Sequence, residues 1–220
     1  EDFFMSADWM RSLKNSLIIA PAATMLAMGF GTLAAIGLTR GEFRGKALVM
    51  SLLISPMIVP VVIIGVASYL FFAPLGMGNS YLSLILVHAV LGVPFVIITV
   101  TATLSGFDQS LIRAAASLGA NPRTTFFKVI MPLILPGIVA GAILAFAKAM
   151  GEFGATITFV SNIPGETQTL SSAIYGLMQV PGGEAGIWRL AAVAVVISLA
   201  ALLFSEWLVR RHYTRHGEDS

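Results

Sequence analysis

Residues 47–107 read ALVMSLLISPMIVPVVIIGVASYLFFAPLGMGNSYLSLILVHAVLGVPFVIITVTATLSGF, a run of 61 residues between Lys46 and Asp108 with no Asp, Glu, Lys or Arg. A helix that crosses a bilayer needs about 20 mostly apolar residues, so this run is long enough for two. The break between them falls at Ala73-Pro74-Leu75-Gly76-Met77-Gly78-Asn79-Ser80, where Gly, Pro, Asn and Ser cluster as they do in turns. His88 is the one histidine inside the run. It has no second ligand at metal spacing, so a satisfied interior histidine is the expected reading.

Outward from this run the pattern continues. Another 25 uncharged residues separate Lys14 from Arg40. Further apolar segments run from about Pro132 to Val160 and from about Ile187 to Val209. The expected fold is an all-α membrane protein of about five transmembrane helices in a single domain over 1–220, with spans near 15–39, 47–72, 81–105, 132–160 and 187–209. Composition agrees: 57% of the 220 residues are hydrophobic and 11% charged, against roughly 25% charged in an ordinary soluble domain. A net charge of +2 is too small and too scattered for a nucleic-acid footprint. The absence of cysteine excludes disulfide frameworks and thiol chemistry.

Loops rich in Lys and Arg stay on the cytoplasmic side. One set of alternate loops carries Arg40, Arg44, Lys46, Arg113, Arg123, Lys128, Arg210, Arg211 and Arg215, and the other carries Arg11, Lys14 and Arg189. This places the N-terminus outside and the C-terminus inside, in a multi-pass cell-membrane protein. The chain opens on Glu1 with no Met and no charged leader, so neither a signal peptide nor a natural start is read there. Prolines at 21, 56, 60, 94 and 136 fall inside the spans. Freed carbonyls are tolerated at that depth only where protein or a water-lined cavity covers them, which favours a bundle. Gly137 and Gly141 form a small-xxx-small pair read as helix packing.

The cytoplasmic loop 106–130 reads as two short helices. Asp108 caps the first and Gly119 ends it; Asn121 with Pro122 starts the second. Ala114, Ala115 and Ala116, bordered by Leu111, Ile112 and Leu118, make a small-faced surface. Such a surface suits either a groove on another protein or the chain's own bundle. In the fourth span Lys148 and Glu152 stand four apart, as a mutual pair or as contacts for a passing substrate. Thr156 and Thr158, with Ser161 and Asn162, either donate to an oxyanion or bond back to their own helix. The outer loop Ser161–Gly186 is long enough for a short interfacial or re-entrant helix at Leu170–Gln179. Trp207 beside Arg210 and Arg211 reads as an interface anchor, and His212 and His216 fall in a basic tail. No nucleotide loop is present: Gly41 to Ala47 is one residue short of the pattern, and Ala47 stands where a hydroxyl is needed. No metal-ligand or hydrolase motif occurs either.

Residues 106–132 resemble the EAA loop of permease subunits in ATP-binding-cassette importers. That pattern has Glu-Ala-Ala, then Gly after three intervening residues, and ends in Ile-x-Leu-Pro. This chain has Arg113-Ala114-Ala115, Gly119 and Val129-Ile130-Met131-Pro132. Arg113 stands where the family usually has an acidic residue. The stretches SLIIAPAATMLA, SLLISPMIVPVVIIGVASYLFF and LVHAVLGVPFVIITV, within residues 16–100, look like spermidine and putrescine permeases. The stretch AFAKAMGEFGATITFVSNIPGETQTLSSAIYGLMQVPGGEAG, residues 145–186, looks like molybdate permeases.

The resemblance implies a type I importer permease that hydrolyses nothing itself, binds no cofactor or metal, and depends on ATP used by a separate ATPase subunit. It implies a solute-binding protein outside, a second copy of the permease, and lipid around the spans. Coupling to the ATPase would fall to Arg113, Ala114, Ala115, Ala116, Gly119, Pro122 and Pro132. The translocation pathway would include Lys148, Glu152, Thr156 and Thr158. Molybdate or a related oxyanion is the expected cargo. A polyamine importer, an ion-coupled carrier and a non-transporting scaffold are the alternatives.

Overall fold

The computed structural model describes residues 7–106, 108, 110–160, 163 and 166–217, with side chains to residue 204. Among the described residues every regular element is helical. Helix α1 spans Ala7–Arg40, α2 Lys46–Ile54, α3 Val61–Phe72 and α4 Tyr81–Ser105. Helix α5 spans Ser110–Ser117, α6 Pro122–Thr125, α7 Met131–Gly151, α8 Gly154–Phe159, α9 Leu170–Met178 and α10 Glu184–Gly217. Four stretches are long and apolar enough to cross a membrane unbroken: Ala7–Arg40, Tyr81–Ser105, Pro122–Gly151 and Glu184–Phe204.

The stretch expected as a single span over 47–72 is instead two helical pieces, Lys46–Met57 and Val61–Leu75, bent by 101°. Pro60 is the cause. It has no N–H to give and it disfavours helical backbone in the residue before it. Ile58 and Val59 therefore both donate back to the Ser55 carbonyl, and the helix restarts when Ile63 donates to Pro60. Pro21, Pro94 and Pro136 remain inside continuous helices. The fifth span exists if the bent pair is counted as one.

Helices α1, α4 and α7 form the centre, with Ala27, Ala35, Val96, Val100, Ile134, Ile138 and Ala145 packed together. Small residues bring these helices close. A Cβ at Gly137 would stand 2.3 Å from Thr103 Oγ1 and 2.9 Å from the Thr99 carbonyl, and one at Gly141 would stand 2.7 Å from Val96 Cα. The Gly137 and Gly141 pair is thus a close crossing of α7 on α4. Outside this core α10 is sparsely covered, with only 6% of its apolar window buried. Lipid or protein must cover the rest, because Val195, Val196, Leu199, Leu202 and Leu203 are exposed.

The second short helix expected in the cytoplasmic loop proves to be the first turn of the fourth span. Asn121 caps α6 through Oδ1, 2.8 Å from Thr124 N, with Pro122 at the first helical position. The chain then passes through a π-turn at Phe126–Ile130 directly into α7. A π-turn widens the coil by one residue, which makes room for a proline ring that would otherwise strike the carbonyl four residues back. Pro132 supplies that ring.

At the far end of the span the expected helix over 132–160 stops at Gly151. Glu152 is extended (φ −77°, ψ 118°), and α8 begins two residues later. The end of the bundle near the start of α1 is closed by buried polar groups. Asn15 donates to the carbonyls of Glu166 and Gln168 at 2.9 and 2.8 Å and accepts from Tyr81 OH at 2.6 Å. Ser12 bonds to Gln168 Oε1, and Ser16 accepts from Leu170 N. These contacts seat α9, whose start carries a reciprocal Thr169–Ser172 cap. The short helix expected at Leu170–Gln179 is therefore packed against α1, α7 and α10.

Candidate functional site

Two groups of residues stand out, one at the interruption of the fourth span and one in and around α5. At the interruption, Lys148 in the last turn of α7 pairs with Glu152 Oε2. The two side chains differ in environment: 35% of the Lys148 side chain is exposed and 3% of that of Glu152. Glu152 Oε1 accepts from Ala155 N at 2.9 Å, so both carboxylate oxygens are engaged. A buried carboxylate needs this, since an unpaired charge in a low-dielectric interior is costly. Pairing survives the helix break because Glu152 is the residue that ends α7 and its side chain still reaches back one turn.

The backbone freed at the break is also satisfied. Ser171 on α9 donates to the Met150 carbonyl. Thr156 Oγ1 lies 2.9 Å from His88 Nε2 and reaches the Glu152 carbonyl at 3.5 Å. Thr158 turns to its own helix, 2.9 Å from the Gly154 carbonyl and 3.0 Å from that of Ala155. The structure thus brings Lys148, Glu152 and Thr156 together and sets Thr158 apart. Ser161 and Asn162, with Pro164 and Gly165, lie outside the described residues. The side chains of Trp207, Arg210, Arg211, His212, Arg215 and His216 lie outside them too.

His88 is interior, 2% exposed, and its Nε2 is bonded to Thr156, as expected of an interior histidine held by its own bundle. Sequence reasoning missed the partner because Thr156 is 68 positions away. Ser171 and the Asn15 contacts were missed for the same reason. A cavity of about 1120 Å³ lies elsewhere, between α1, α7, α9 and α10, and is lined by apolar groups such as Pro21, Met25, Phe146 and Met150. Neither Lys148 nor Glu152 borders it.

In the loop between α4 and α6, Asp108 starts α5 by accepting from Ser110 N at 2.8 Å and Ser110 Oγ at 2.5 Å. These two bonds, the hydroxyl first, hold the Asp108 carboxyl below its ordinary pKa. Gly119 (φ +78°) ends the helix. Its N–H bonds to the Ala116 carbonyl and that of Ala120 to Ala115, both at 3.0 Å, the closure that a left-handed glycine permits. Helix α5 then shows two faces. Ile112 packs on the bundle core beside Phe126 and Met131. On the other face Leu111 is 45% and Leu118 88% exposed, and Arg113, Ala114, Ala116, Gly119 and Pro122 are exposed with them. Ala115 is half-buried and Pro132 exposed. One face is therefore seated on the chain itself, while the other is apolar and uncovered.

Among the described residues no three His, Cys, Asp or Glu side chains cluster at metal spacing. The chain is 40% identical over 218 residues to the molybdenum transport system permease protein ModB of Escherichia coli K12, covering 92% of this chain and 94% of that protein. It is 32% identical to the spermidine/putrescine transport system permease protein PotC of Haemophilus influenzae, covering 96% and 81%. In fold it is similar to a chain of the bacterial alginate ABC transporter solved with an alginate-bound periplasmic protein. That likeness has a TM-score of 0.75 at 19% identity and covers 96% of this chain and 81% of the other. The pattern of the binding-protein-dependent transport system inner membrane component matches residues 27–212, and the chain belongs to that family of membrane-spanning transport permeases.

Proposed function

We propose that this chain is the permease subunit of an ATP-driven importer whose cargo is molybdate or a related oxyanion. The observation that carries the cargo is the 40% identity to the molybdenum permease over 92% of the chain. The polar cluster agrees with an anion: Glu152 has no free carboxylate oxygen to offer a cation, while Lys148 is the member of the pair left partly open. An oxyanion that must enter and leave is served by such weak, partial contacts better than by a tight cage.

In this reading Lys148, Glu152, Thr156 and Thr158 belong to the translocation pathway. Lys148 and the interrupted helix provide the polar surface, and the threonines serve mainly the backbone around it. The pathway lies between two copies of the chain, since the cavity within one copy is apolar. A separate ATPase seats on the uncovered face of α5, where Arg113, Ala114, Ala115, Ala116, Gly119 and Pro122 surround Leu118, with Pro132 at the base. That face lies in the cytoplasm, the N-terminus lies outside, and a solute-binding protein delivers cargo to the outer end closed by Asn15. ATP is consumed by the ATPase, and this chain carries no cofactor of its own.

The test is uptake of labelled molybdate into proteoliposomes holding the permease, its ATPase and its solute-binding protein. The expected result is ATP-dependent uptake that tungstate competes and spermidine does not. Competition by spermidine alone would favour the polyamine reading that the 32% match to the PotC protein raises. Uptake that persists without ATP would favour an ion-coupled carrier.

A further inference from the structure

The polar cluster contains one side chain that the transport reading leaves without a task. His88 lies on α4, a helix that is unbroken from Tyr81 to Ser105. Its Nε2 meets Thr156 in the first turn of α8 at 2.9 Å. Thr156 Oγ1 in turn reaches the carbonyl of Glu152, the residue at the break, at 3.5 Å. One imidazole on a continuous helix is thus bonded to the first turn after the interruption, four residues beyond the Glu152 that pairs with Lys148 in the last turn of α7.

The interruption also abuts the other one. Gly154, the first residue of α8, faces Val61, the first residue of α3 after the bend at Pro60; a Cβ on Gly154 would stand 2.7 Å from Val61 Cγ1. One turn further along both helices, a Cβ on Gly65 would stand 1.8 Å from Thr158 Oγ1 and 3.0 Å from the Ala155 carbonyl. Backbone meets backbone along this line, so α3 and α8 cannot slide independently. Their shared apolar face packs on α4 through Ala155 and Phe159 against Leu84, Val87 and Leu91. His88 is the polar contact within that otherwise apolar seam.

We propose that His88 is a positioning residue for transport: through Thr156 it pins the start of α8 on α4, and its release lets α8 and α3 move as one body relative to the Lys148–Glu152 pair. The proposal rests on the permease reading above.

The experiment compares His88→Leu, Thr156→Val, their combination and His88→Gln in the proteoliposome system, reading molybdate taken up per ATP hydrolysed. Loss of one hydrogen bond corresponds to about tenfold. His88→Leu and Thr156→Val are each expected to lower the ratio by about that factor, and the double variant by no more than either, with the apparent KM for loaded binding protein within about twofold. His88→Gln, which can still bond Thr156, is expected to recover to within about threefold of the unaltered chain. An assembled His88→Leu or Thr156→Val variant with an unchanged ratio would overturn the proposal, as would a Gln variant no better than Leu. If His88→Leu does not assemble, Thr156→Val decides. A second readout separates this proposal from the identity of the cargo. The chain lacks cysteine, so spin labels at Val90→Cys and Phe153→Cys report the joint directly. ATP added to the complex should shift their separation in the unaltered chain and leave it fixed with His88→Leu. Equal shifts in both overturn the role of His88, whereas absent molybdate uptake by the unaltered chain overturns only the cargo.

Discussion

Replacing Leu118 by Ala tests the docking face of α5 with little risk to the fold. The side chain is 88% exposed, so its truncation costs the isolated permease almost nothing. When a partner covers it, the three carbons removed are each worth about 0.8 kcal/mol of burial. Scaled by the exposed fraction, the loss comes to about 2 kcal/mol, or about thirtyfold in Kd for the ATPase. Ile112→Ala on the opposite face is the counterpart. It packs on the bundle core and should lower thermal stability by about 2 kcal/mol before it affects docking. The assay is equilibrium binding of purified ATPase subunit to the permease in nanodiscs, with thermal unfolding measured in parallel. Binding within about twofold of the unaltered chain for Leu118→Ala would refute the reasoning, because a buried anchor cannot be truncated so cheaply.

Three further outcomes follow from the geometry. Gly137→Val places new carbons 2.3 Å from Thr103 Oγ1 and should lower stability by about 1–3 kcal/mol in thermal unfolding, with partial rescue by Thr103→Ala. Lys148→Met strands the buried Glu152 carboxylate. The cost should be about 2 kcal/mol, below the ~3–5 kcal/mol of a fully buried pair because Lys148 is partly exposed, and Glu152→Leu in the same chain should recover most of it in a double-mutant unfolding cycle. Asp108 has its pKa lowered in the fold from an ordinary 3.8, so its contribution to α5 is present above that value and lost as the pH falls through the lowered one. Amide protection in residues 110–117, taken relative to the intrinsic exchange rate at each pH, should therefore fall in acid, and Asp108→Asn, which still caps, should remove that dependence.

Much of the architecture was legible because charge gaps measure span length directly, and nothing local competes with that signal between Lys46 and Asp108. The caps of α5 and α6 were legible for the same reason, since Asp108, Gly119 and Asn121 act within a few residues of themselves. The bends were not. Pro21, Pro94, Pro136 and Pro60 look alike in sequence, and Pro136 follows Pro132 at the same four-residue spacing at which Pro60 follows Pro56, yet only the Pro60 segment bends sharply, so proline spacing alone does not mark the break. The Lys148–Glu152 pairing was legible at four residues' spacing, yet the break beneath it was hidden in Gly151-Glu152-Phe153-Gly154. The contacts of His88 and Asn15 reach partners 68 and about 150 residues away, where only the packed bundle decides what meets what.

The proposed function comes down to a membrane bundle driven by an ATPase that docks on α5 from the cytoplasm. A photo-reactive cysteine probe at position 118, in cells that also make the ATPase subunit, tests that arrangement most directly. The account predicts a cross-link from residue 118 to the ATPase and no labelling by an impermeant thiol reagent applied outside intact cells. Labelling from outside, with no ATPase adduct, would contradict it.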